Sequence, residues 1–279
     1  MDRMVVFSTG AKGGVGKSTM AVLAVEALRE AGKSVSVLEG DAHSPTLAHK
    51  YAGSPIAVGG ADLASLAGAA GVAAFSEAAE SLPGDYLVVN APATGVRIFE
   101  EIPEALAASS WQTRASWCLS LSADRNGDGV ADDGLFESID RGMLSAVEFE
   151  HITVVRSLFQ LSYRGQGFWF DKERDFARGL GVREMSVDGI HPATLERIHR
   201  DPRPMADLIS EISSGDPVVG ATLQMFWHAA KTSLSGTVLA AEDLVLDGAV
   251  ESPRGRLFGV RRKAPKSRKA EPTTERTGG

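Results

Sequence analysis

Gly10-Ala11-Lys12-Gly13-Gly14-Val15-Gly16-Lys17-Ser18-Thr19 lies between an apolar run, Met4 to Phe7, and an Ala/Leu-rich segment, Met20 to Ala31. The apolar run predicts a strand, and the 3.6-residue spacing of the following segment predicts a helix. A strand, a glycine-rich loop and a helix in this order are what a phosphate-binding loop requires. Glycines allow the backbone to approach an anion closely, so that successive N–H groups and the N-terminal end of the helix face it.

The side chains at the end of this loop predict its ligands. Lys17 is expected to reach the β/γ-phosphates of a nucleotide, and Ser18 is expected to offer its hydroxyl to Mg²⁺. Ala11 stands where the strict pattern has its first glycine, and Lys12 is a second lysine inside the loop. The alternative is a glycine-rich turn without a ligand. Two lysines, four glycines and the correct flanking segments disfavour it.

The loop also carries a family resemblance. Lys12-Gly13-Gly14-Val15-Gly16-Lys17-Ser18-Thr19 resembles the deviant Walker A loop of the ParA/MinD family of ATPases, which tolerates a non-glycine at the position of Ala11. The resemblance implies that these residues bind ATP together with Mg²⁺. It also implies that Lys12 is the signature lysine, which in family dimers crosses to the phosphates of the partner's ATP and, with Lys17, takes part in catalysis.

Asp41 is the next candidate catalytic residue. It follows a predicted strand, Ser34 to Leu38, in the sequence Glu39-Gly40-Asp41-Ala42-His43-Ser44-Pro45. Ligands of an open parallel sheet bind beyond the carboxyl ends of the strands, so these acidic residues are expected to face the phosphate loop. The family has Asp-x-Asp here, and the resemblance implies that Asp41 positions the attacking water, with Glu39 in place of the first Asp. A turn-forming role for Asp41 before Pro45 is the alternative.

Asn90 ends the third predicted strand, Tyr86 to Val89, and is followed by Ala91-Pro92. The resemblance places here the Walker B carboxylate that holds the water shell of Mg²⁺, a task that an amide performs without charge. Mg²⁺ affinity is therefore expected to be weaker, or Asp41 and Ser18 must carry it. The predicted metal residues are Ser18, Asp41 and Asn90. The replacement of the family's carboxylate by Asn90 is expected to affect ATP turnover more than nucleotide binding.

Arg156 follows another predicted strand, His151 to Val155. In relatives an Asn at this strand end helps to read adenine. Arg156 is therefore included among the predicted nucleotide-binding residues, although it departs from the family pattern. The preference between adenine and guanine stays open.

The chain of 279 residues predicts a single P-loop ATPase domain, residues 1–250, followed by a basic tail, residues 251–279. The net charge is −7, but the segment from Arg254 to the end carries +7, which leaves −14 on the remainder. Such a tail is expected to be disordered. It either contacts DNA or a DNA-bound adaptor protein, or merely keeps the protein in solution.

The composition narrows the class of protein further. Hydrophobic residues make up 43% and charged residues 23%, as in ordinary globular proteins. Cys118 is the only cysteine, which excludes a disulfide or a Cys-x-x-Cys cluster site within one chain. The N-terminus leads directly into the first strand, and the most apolar region, Ala61 to Ala79, contains Asp62 and Glu77. We therefore expect no signal peptide, no membrane span and a cytoplasmic location.

Alternating strands and helices predict an α/β fold, a doubly wound, mostly parallel sheet flanked by helices, with the nucleotide beside the loop at the switch point. Further helices are predicted within Ala61 to Ser81, from Gly134 to Val147 and from Pro217 to Leu234.

The resemblance also implies a function. It implies a slow ATPase that forms a homodimer on binding ATP and acts in plasmid or DNA partition, stability or conjugal transfer. A nucleotide-bound scaffold that does not hydrolyse ATP is the alternative, and Asn90 favours it. A small-molecule ligase or kinase built on the same loop would need a substrate pocket, and the sequence does not reveal one.

Overall fold

A computed structural model describes residues 3–63, 69–92, 102, 106, 109–119, 133–157 and 171–244. The strands are β1 (Met4–Thr9), β2 (Val35–Glu39), β3 (Ala57–Gly60), β4 (Tyr86–Asn90), β5 (Gln112–Cys118), β6 (Ile152–Ser157) and β7 (Arg183–Val187). The helices are α1 (Lys17–Glu30), α2 (Thr46–Tyr51), α3 (Ala69–Ser81), α4 (Asp133–Asp140), α5 (Asp171–Gly179), α6 (Pro192–Arg200), α7 (Met205–Gly215) and α8 (Pro217–Leu234).

The described strands form one sheet in the order β3-β2-β4-β1-β5-β6-β7, and all of their pairings are parallel. Strand β1 lies between β4 and β5, with Val6 opposite Val88 on one side and Arg114 on the other. After β1 the chain forms β2, β3 and β4 on one side of it and then crosses to form β5, β6 and β7 on the other. The carboxyl end of β1 therefore lies at the switch point where ligands of such sheets bind. The predicted α/β architecture, a doubly wound, mostly parallel sheet flanked by helices, is confirmed.

Helices cover both faces of the sheet, and alternate residues of β1 pack into different cores. Val6 belongs to a core built with residues of α1, α2, α6, α7 and α8. Val5 and Phe7 belong to a second core with Phe75 of α3 and Leu135 of α4. The rings of Phe7 and Phe75 stack with their centroids 5.9 Å apart. Together the two cores fix β1 and the loop that follows it.

Strand β3 was not predicted, and Tyr86–Asn90 is therefore the fourth strand rather than the third. The sequence Ala57-Val58-Gly59-Gly60 contains one β-branched residue and two glycines, and alanine and glycine are depleted in strands. The strand forms at the edge of the sheet because it pairs with β2, from Ser36 opposite Ala57 to Glu39 opposite Gly60.

The helix predicted from Gly134 to Val147 is shorter than expected. It ends at Asp140, and a separate 3-10 turn follows at Met143–Ala146. Gly142 lies against the preceding turn, where a Cβ would come within 2.8 Å of Ser138 Cα. This close approach directs the chain out of the helix. In the region predicted to be helical from Ala61 to Ser81, helix α3 begins at Ala69, and residues 64–68 lie outside the described residues.

The contacts within the chain divide it into Met1–Val245 and Leu246–Gly279. All described residues belong to the first unit, and the predicted basic tail, residues 251–279, lies outside them. The predicted domain boundary therefore stays a prediction. In the part of the chain that the structure describes, no helix has both the length and the apolar character needed to cross a bilayer.

Candidate functional site

Residues 10–16 form a tight loop between β1 and α1. Gly14 and Gly16 have φ angles of 74° and 103°, a left-handed conformation that residues with a side chain rarely adopt. Gly10 packs against β5 so closely that a Cβ would lie 2.5 Å from the carbonyl oxygen of Cys118. Lys12, like Gly13 and Gly14, is exposed. The backbone geometry thus requires glycine at several positions and leaves the loop accessible to an anion.

Lys17, the first residue of α1, folds back over this loop. Its side chain is buried, and its Nζ donates a hydrogen bond to the carbonyl oxygen of Lys12 at 2.7 Å. Burial lowers the pKa of Lys17, whereas the nearby Cys118 and Asp41 act in the opposite direction. Ser8 Oγ of β1 donates to the carbonyl oxygen of Lys17 at 2.7 Å, which ties the start of the helix to the strand. A charged donor is therefore held where a phosphate would enter the loop.

Asn90 and Ser18, two of the predicted metal residues, are in contact. Asn90 is fully buried at the end of β4, where its backbone is paired with Ser8 of β1 and Glu39 of β2. Its Nδ2 donates to Glu39 Oε1 at 2.8 Å and makes a longer contact of 3.4 Å with Ser18 Oγ. Its Oδ1 is buried and has no hydrogen-bond partner among the described residues. The amide thus lies between a carboxylate and the hydroxyl of the loop.

Glu39 is part of this site, although the sequence analysis gave it no separate role. It is 5% exposed, and it accepts hydrogen bonds from the backbone N–H groups of Asp41 at 3.1 Å and Leu47 at 2.9 Å. Burial raises the pKa of Glu39, and the hydrogen bonds from Asn90 and the backbone oppose that shift. The sequence did contain a signal, because an acidic residue at the end of a buried strand is unusual unless it is paired.

Asp41 begins the loop after β2 and organises the next turn. Its Oδ1 accepts hydrogen bonds from the backbone N–H groups of His43 at 3.1 Å and Ser44 at 3.0 Å. This is the turn-forming role that the sequence left as an alternative. A carboxylate has further lone pairs, so the turn does not prevent a second role at the site. The negative charge of Asp41 also acts to raise the pKa of Lys17, against the larger effect of burial. Its predicted contacts with water and metal stay predictions.

The oxygen atoms around Ser18 suit Mg²⁺. This ion takes oxygen ligands and keeps several of its waters, so that side chains often contact it through the hydration shell. The observation that supports a hydrated ion at this position is Asn90 Oδ1, a buried acceptor without a hydrogen-bond partner among the described residues. Leaving a buried acceptor unsatisfied costs about 1–3 kcal/mol, a cost that a water molecule of the ion's shell would remove. With the Ser18 hydroxyl and the carboxylate of Glu39, this atom forms a donor set that fits a hydrated Mg²⁺ ion.

Thr19, the last residue of the predicted binding set, connects the loop to α6. Its Oγ1 lies 3.0 Å from His199 Nε2. Burial, together with the positive charge of Lys50, lowers the pKa of His199 to about 4. The imidazole is therefore neutral near pH 7.

A buried ion pair joins the helices behind the loop. The side chains of Lys50 in α2 and Glu26 in α1 are each 1% exposed, with Nζ 3.6 Å from Oε1. Lys50 Nζ also donates to the carbonyl oxygens of Ile198 and Asp201, both at 2.7 Å, at the end of α6. Tyr51 donates from its hydroxyl to Glu26 Oε1 at 3.1 Å. These bonds connect α1, α2 and α6 through charged groups that water does not reach.

Arg156 lies apart from the other predicted site residues. It belongs to β6, which is separated from β1 by β5. Its Nε lies 2.9 Å from Glu184 Oε1 of β7, and Glu184 also pairs with Arg174 and Arg178 of α5. Arg156 thus takes part in a charge cluster at the edge of the sheet. Its predicted contact with the nucleotide base stays a prediction.

Three solved structures are similar to this fold at low sequence identity. A nucleotide-binding protein from Archaeoglobus fulgidus, solved with ADP and with cobalt detected, is 17% identical, has a TM-score of 0.43 and covers 71% of this chain and 85% of its own. The MinC:MinD cell division protein complex of Aquifex aeolicus is 16% identical, has a TM-score of 0.45 and covers 80% of this chain and 95% of its own. A ParA family ATPase from Chlorobium tepidum is 14% identical, has a TM-score of 0.39 and covers 83% of this chain and 97% of its own.

No protein-family model matches this sequence, and no curated protein matches it.

Proposed function

We propose that this chain is a nucleotide-dependent switch protein similar to the ParA/MinD ATPases, which binds ATP with Mg²⁺ at residues 12–19. The observation that carries the proposal is the buried ammonium of Lys17, bonded to the Lys12 carbonyl oxygen over a loop with left-handed glycines. A loop of this kind offers backbone N–H groups, a helix N-terminus and one fixed positive charge to a polyphosphate.

Each site residue has a task in this proposal. Lys17 neutralises charge on the β- and γ-phosphates, and Ser18 and Asn90 hold Mg²⁺, which when bound withdraws negative charge from the same phosphates. Asp41 positions a water that attacks the γ-phosphorus, so that the bond to the leaving ADP oxygen breaks and phosphate is released. Lys12, which is exposed, reaches the phosphates bound by the partner in an ATP-dependent homodimer.

We place this switch in the cytoplasm, with slow hydrolysis as its timer, in plasmid or DNA partition, stability or conjugal transfer. In this proposal the basic tail, residues 251–279, contacts DNA or a DNA-bound adaptor. Truncation after Ser252 should then weaken DNA binding and flatten its salt dependence, because the removed segment holds the +7 charge. Equal affinity and equal salt slope would place any DNA contact on the folded part.

A second candidate function is a scaffold that binds nucleotide without hydrolysing it. The specific observation in its favour is Asn90, an uncharged residue that donates to Glu39 and leaves Ser18 without a carboxylate partner at position 90. Single-turnover hydrolysis of ATP by excess protein separates the two functions. Release of phosphate that Asp41→Ala abolishes supports the ATPase, and complete retention of ATP supports the scaffold.

Calorimetric titration with ADP and ATP tests the common part of both functions. Lys17→Ala should abolish measurable binding, because the loop loses the charge aimed at the phosphates. Lys33→Ala, at the opposite end of α1, is the matched control and should bind like wild type. Unchanged affinity in Lys17→Ala would remove the phosphate-loop function.

A further inference from the structure

Glu39 and Asn90 are two departures from the resembled pattern that lie directly opposite each other. They are paired residues on the adjacent parallel strands β2 and β4, at the ends that face the phosphate loop. Their side chains are hydrogen-bonded, with Asn90 Nδ2 2.8 Å from Glu39 Oε1. The same Nδ2 lies 3.4 Å from Ser18 Oγ, which places the carboxylate within about 6 Å of that hydroxyl.

We propose that Glu39 supplies the negative charge of the Mg²⁺ site in this chain, and that Asn90 connects this charge to Ser18. The carboxylate that the pattern has at position 90 is thus replaced by one on the neighbouring strand. This inference rests on the proposed nucleotide-binding function. Glu39 acts through Asn90 and the hydration shell, so it is a positioning residue of the metal site rather than a direct ligand.

The hydrogen bonds around Glu39 suit a carboxylate, because each of those described is donated to it. Its two oxygens accept from the backbone N–H groups of Asp41 and Leu47 and from Asn90 Nδ2. A protonated carboxyl would instead turn an O–H toward one of these donors. The carboxylate also fixes the orientation of Asn90, because a rotated amide would set oxygen against oxygen. Oδ1 is thereby left as the buried acceptor that meets the water shell of the cation.

Two effects of this arrangement on cation affinity oppose each other, and their relative sizes decide whether the pair of Glu39 and Asn90 strengthens or weakens cation binding. Ser18 faces an amide N–H instead of a carboxylate oxygen, which weakens the hydroxyl as a metal ligand by about fivefold, the equivalent of one neutral hydrogen bond. A full negative charge within about 6 Å in a shielded corner strengthens cation binding by about tenfold or more. The charge is the larger effect, so removing it should weaken the metal site.

The test is the affinity of Mn²⁺, a spectroscopic substitute for Mg²⁺, for the complex of protein and ADP, measured by paramagnetic resonance of the free ion. Glu39→Gln should weaken Mn²⁺ binding about tenfold or more, while ADP affinity in EDTA stays unchanged. The double variant Glu39→Gln/Asn90→Asp returns a carboxylate to the pair and should restore Mn²⁺ affinity to within about threefold of wild type. Glu30→Gln, the same chemical change at the far end of α1, is the matched control and should have no effect.

Two results would overturn the inference: wild-type Mn²⁺ affinity in Glu39→Gln, or no recovery in the double variant. A merely structural role for Glu39 would lower the unfolding midpoint without a selective loss of Mn²⁺ binding. If Glu39→Gln does not fold, the Mn²⁺ affinity of Asn90→Ala tests the inference instead. This variant keeps Glu39 but removes the amide through which Glu39 acts, so Mn²⁺ binding should weaken, and wild-type Mn²⁺ affinity contradicts the proposal. Failure of the proposed function itself would look different, because wild type would then not bind ADP even in EDTA.

Discussion

Replacing Lys50 by Met should destabilise the protein, although the two side chains have similar lengths and similar helix propensities. Lys50 and Glu26 form a salt bridge in which each side chain is 1% exposed. Methionine fills most of the volume of the lysine stem but removes the ammonium group. The carboxylate of Glu26 then remains buried with only the more distant guanidinium of Arg29, 3.9 Å away, as a cation, and the carbonyl oxygens of Ile198 and Asp201 lose their donor.

The size of the effect follows from these contacts. Breaking a buried ion pair by removing one partner costs about 3–5 kcal/mol, most of it from the charge that is left behind. Glu26 keeps hydrogen bonds from the Tyr51 hydroxyl and from the backbone N–H of Met205, both at 3.1 Å, so it is not left unsolvated. We therefore expect a value near the lower limit, about 3 kcal/mol. The double variant Glu26→Gln/Lys50→Met should lie within about 1–2 kcal/mol of wild type, because it removes both charges of the buried pair and the remaining cation, Arg29, is partly exposed.

Urea unfolding, followed by circular dichroism, measures these differences if the slope of the transition stays constant. Arg200→Met is the control, because its ion pair with Glu196 is exposed on both sides, and it should change stability by less than about 1 kcal/mol. If Lys50→Met unfolds within about 1 kcal/mol of wild type, or if the double-mutant cycle shows no coupling, the ion pair does not stabilise the fold as reasoned here.

Three further predictions concern the site. Lys12→Ala should leave ATP affinity unchanged but reduce ATP-dependent dimerisation in a sizing experiment, and a variant that dimerises like wild type contradicts the role given to this exposed lysine. Asn90→Asp places a second carboxylate against Glu39, so thermal unfolding at pH 8 in EDTA should occur at a lower temperature than for wild type, with recovery at pH 5 or with Mg²⁺ and ADP. His199 has its pKa lowered to about 4 in the fold, so the unfolded chain binds the extra proton first. The stability that the neutral ring contributes should therefore fall as pH drops from about 6.5 to about 4, and His199→Gln should show a smaller fall in that window.

The phosphate loop and the central strands could be predicted because their signals are local. The glycines and lysines of the loop all lie within the ten residues 10–19, and β1 and β4 are short apolar runs. Strand β3 had no such signal, since Ala57-Val58-Gly59-Gly60 becomes a strand only through its pairing with β2. A segment whose conformation depends on a distant partner is not visible in its own composition.

The polar interior was equally hidden from sequence reasoning. A lysine is expected at the protein surface, yet Lys50 is buried. Its ammonium group donates to carbonyl oxygens of residues that lie about 150 positions further along the chain. The pairing of Glu39 with Asn90 joins positions that are 51 residues apart and depends on β2 and β4 being neighbours in the sheet. The sequence showed both departures from the pattern, but only the strand order shows that the two residues are neighbours.

The burial of α1 determines which parts of the molecule are able to change shape. Eleven of its residues, including Lys17 at the loop end and Leu28 near the other, are buried between the sheet and the neighbouring helices. Displacing such a helix would disturb a close-packed core, which resists deformation. The helix end of the phosphate loop is therefore fixed, and in the proposed switch a difference between nucleotide states would be expressed elsewhere. The segment from Asp41 to Pro45 is mostly exposed. Its first N–H, that of Asp41, donates to Glu39 of β2, whereas Asp41 Oδ1 accepts from the N–H groups of His43 and Ser44 within the segment. A protein that distinguishes the two states would contact this segment, and substitutions inside α1 would alter how stable the fold is rather than which state it adopts.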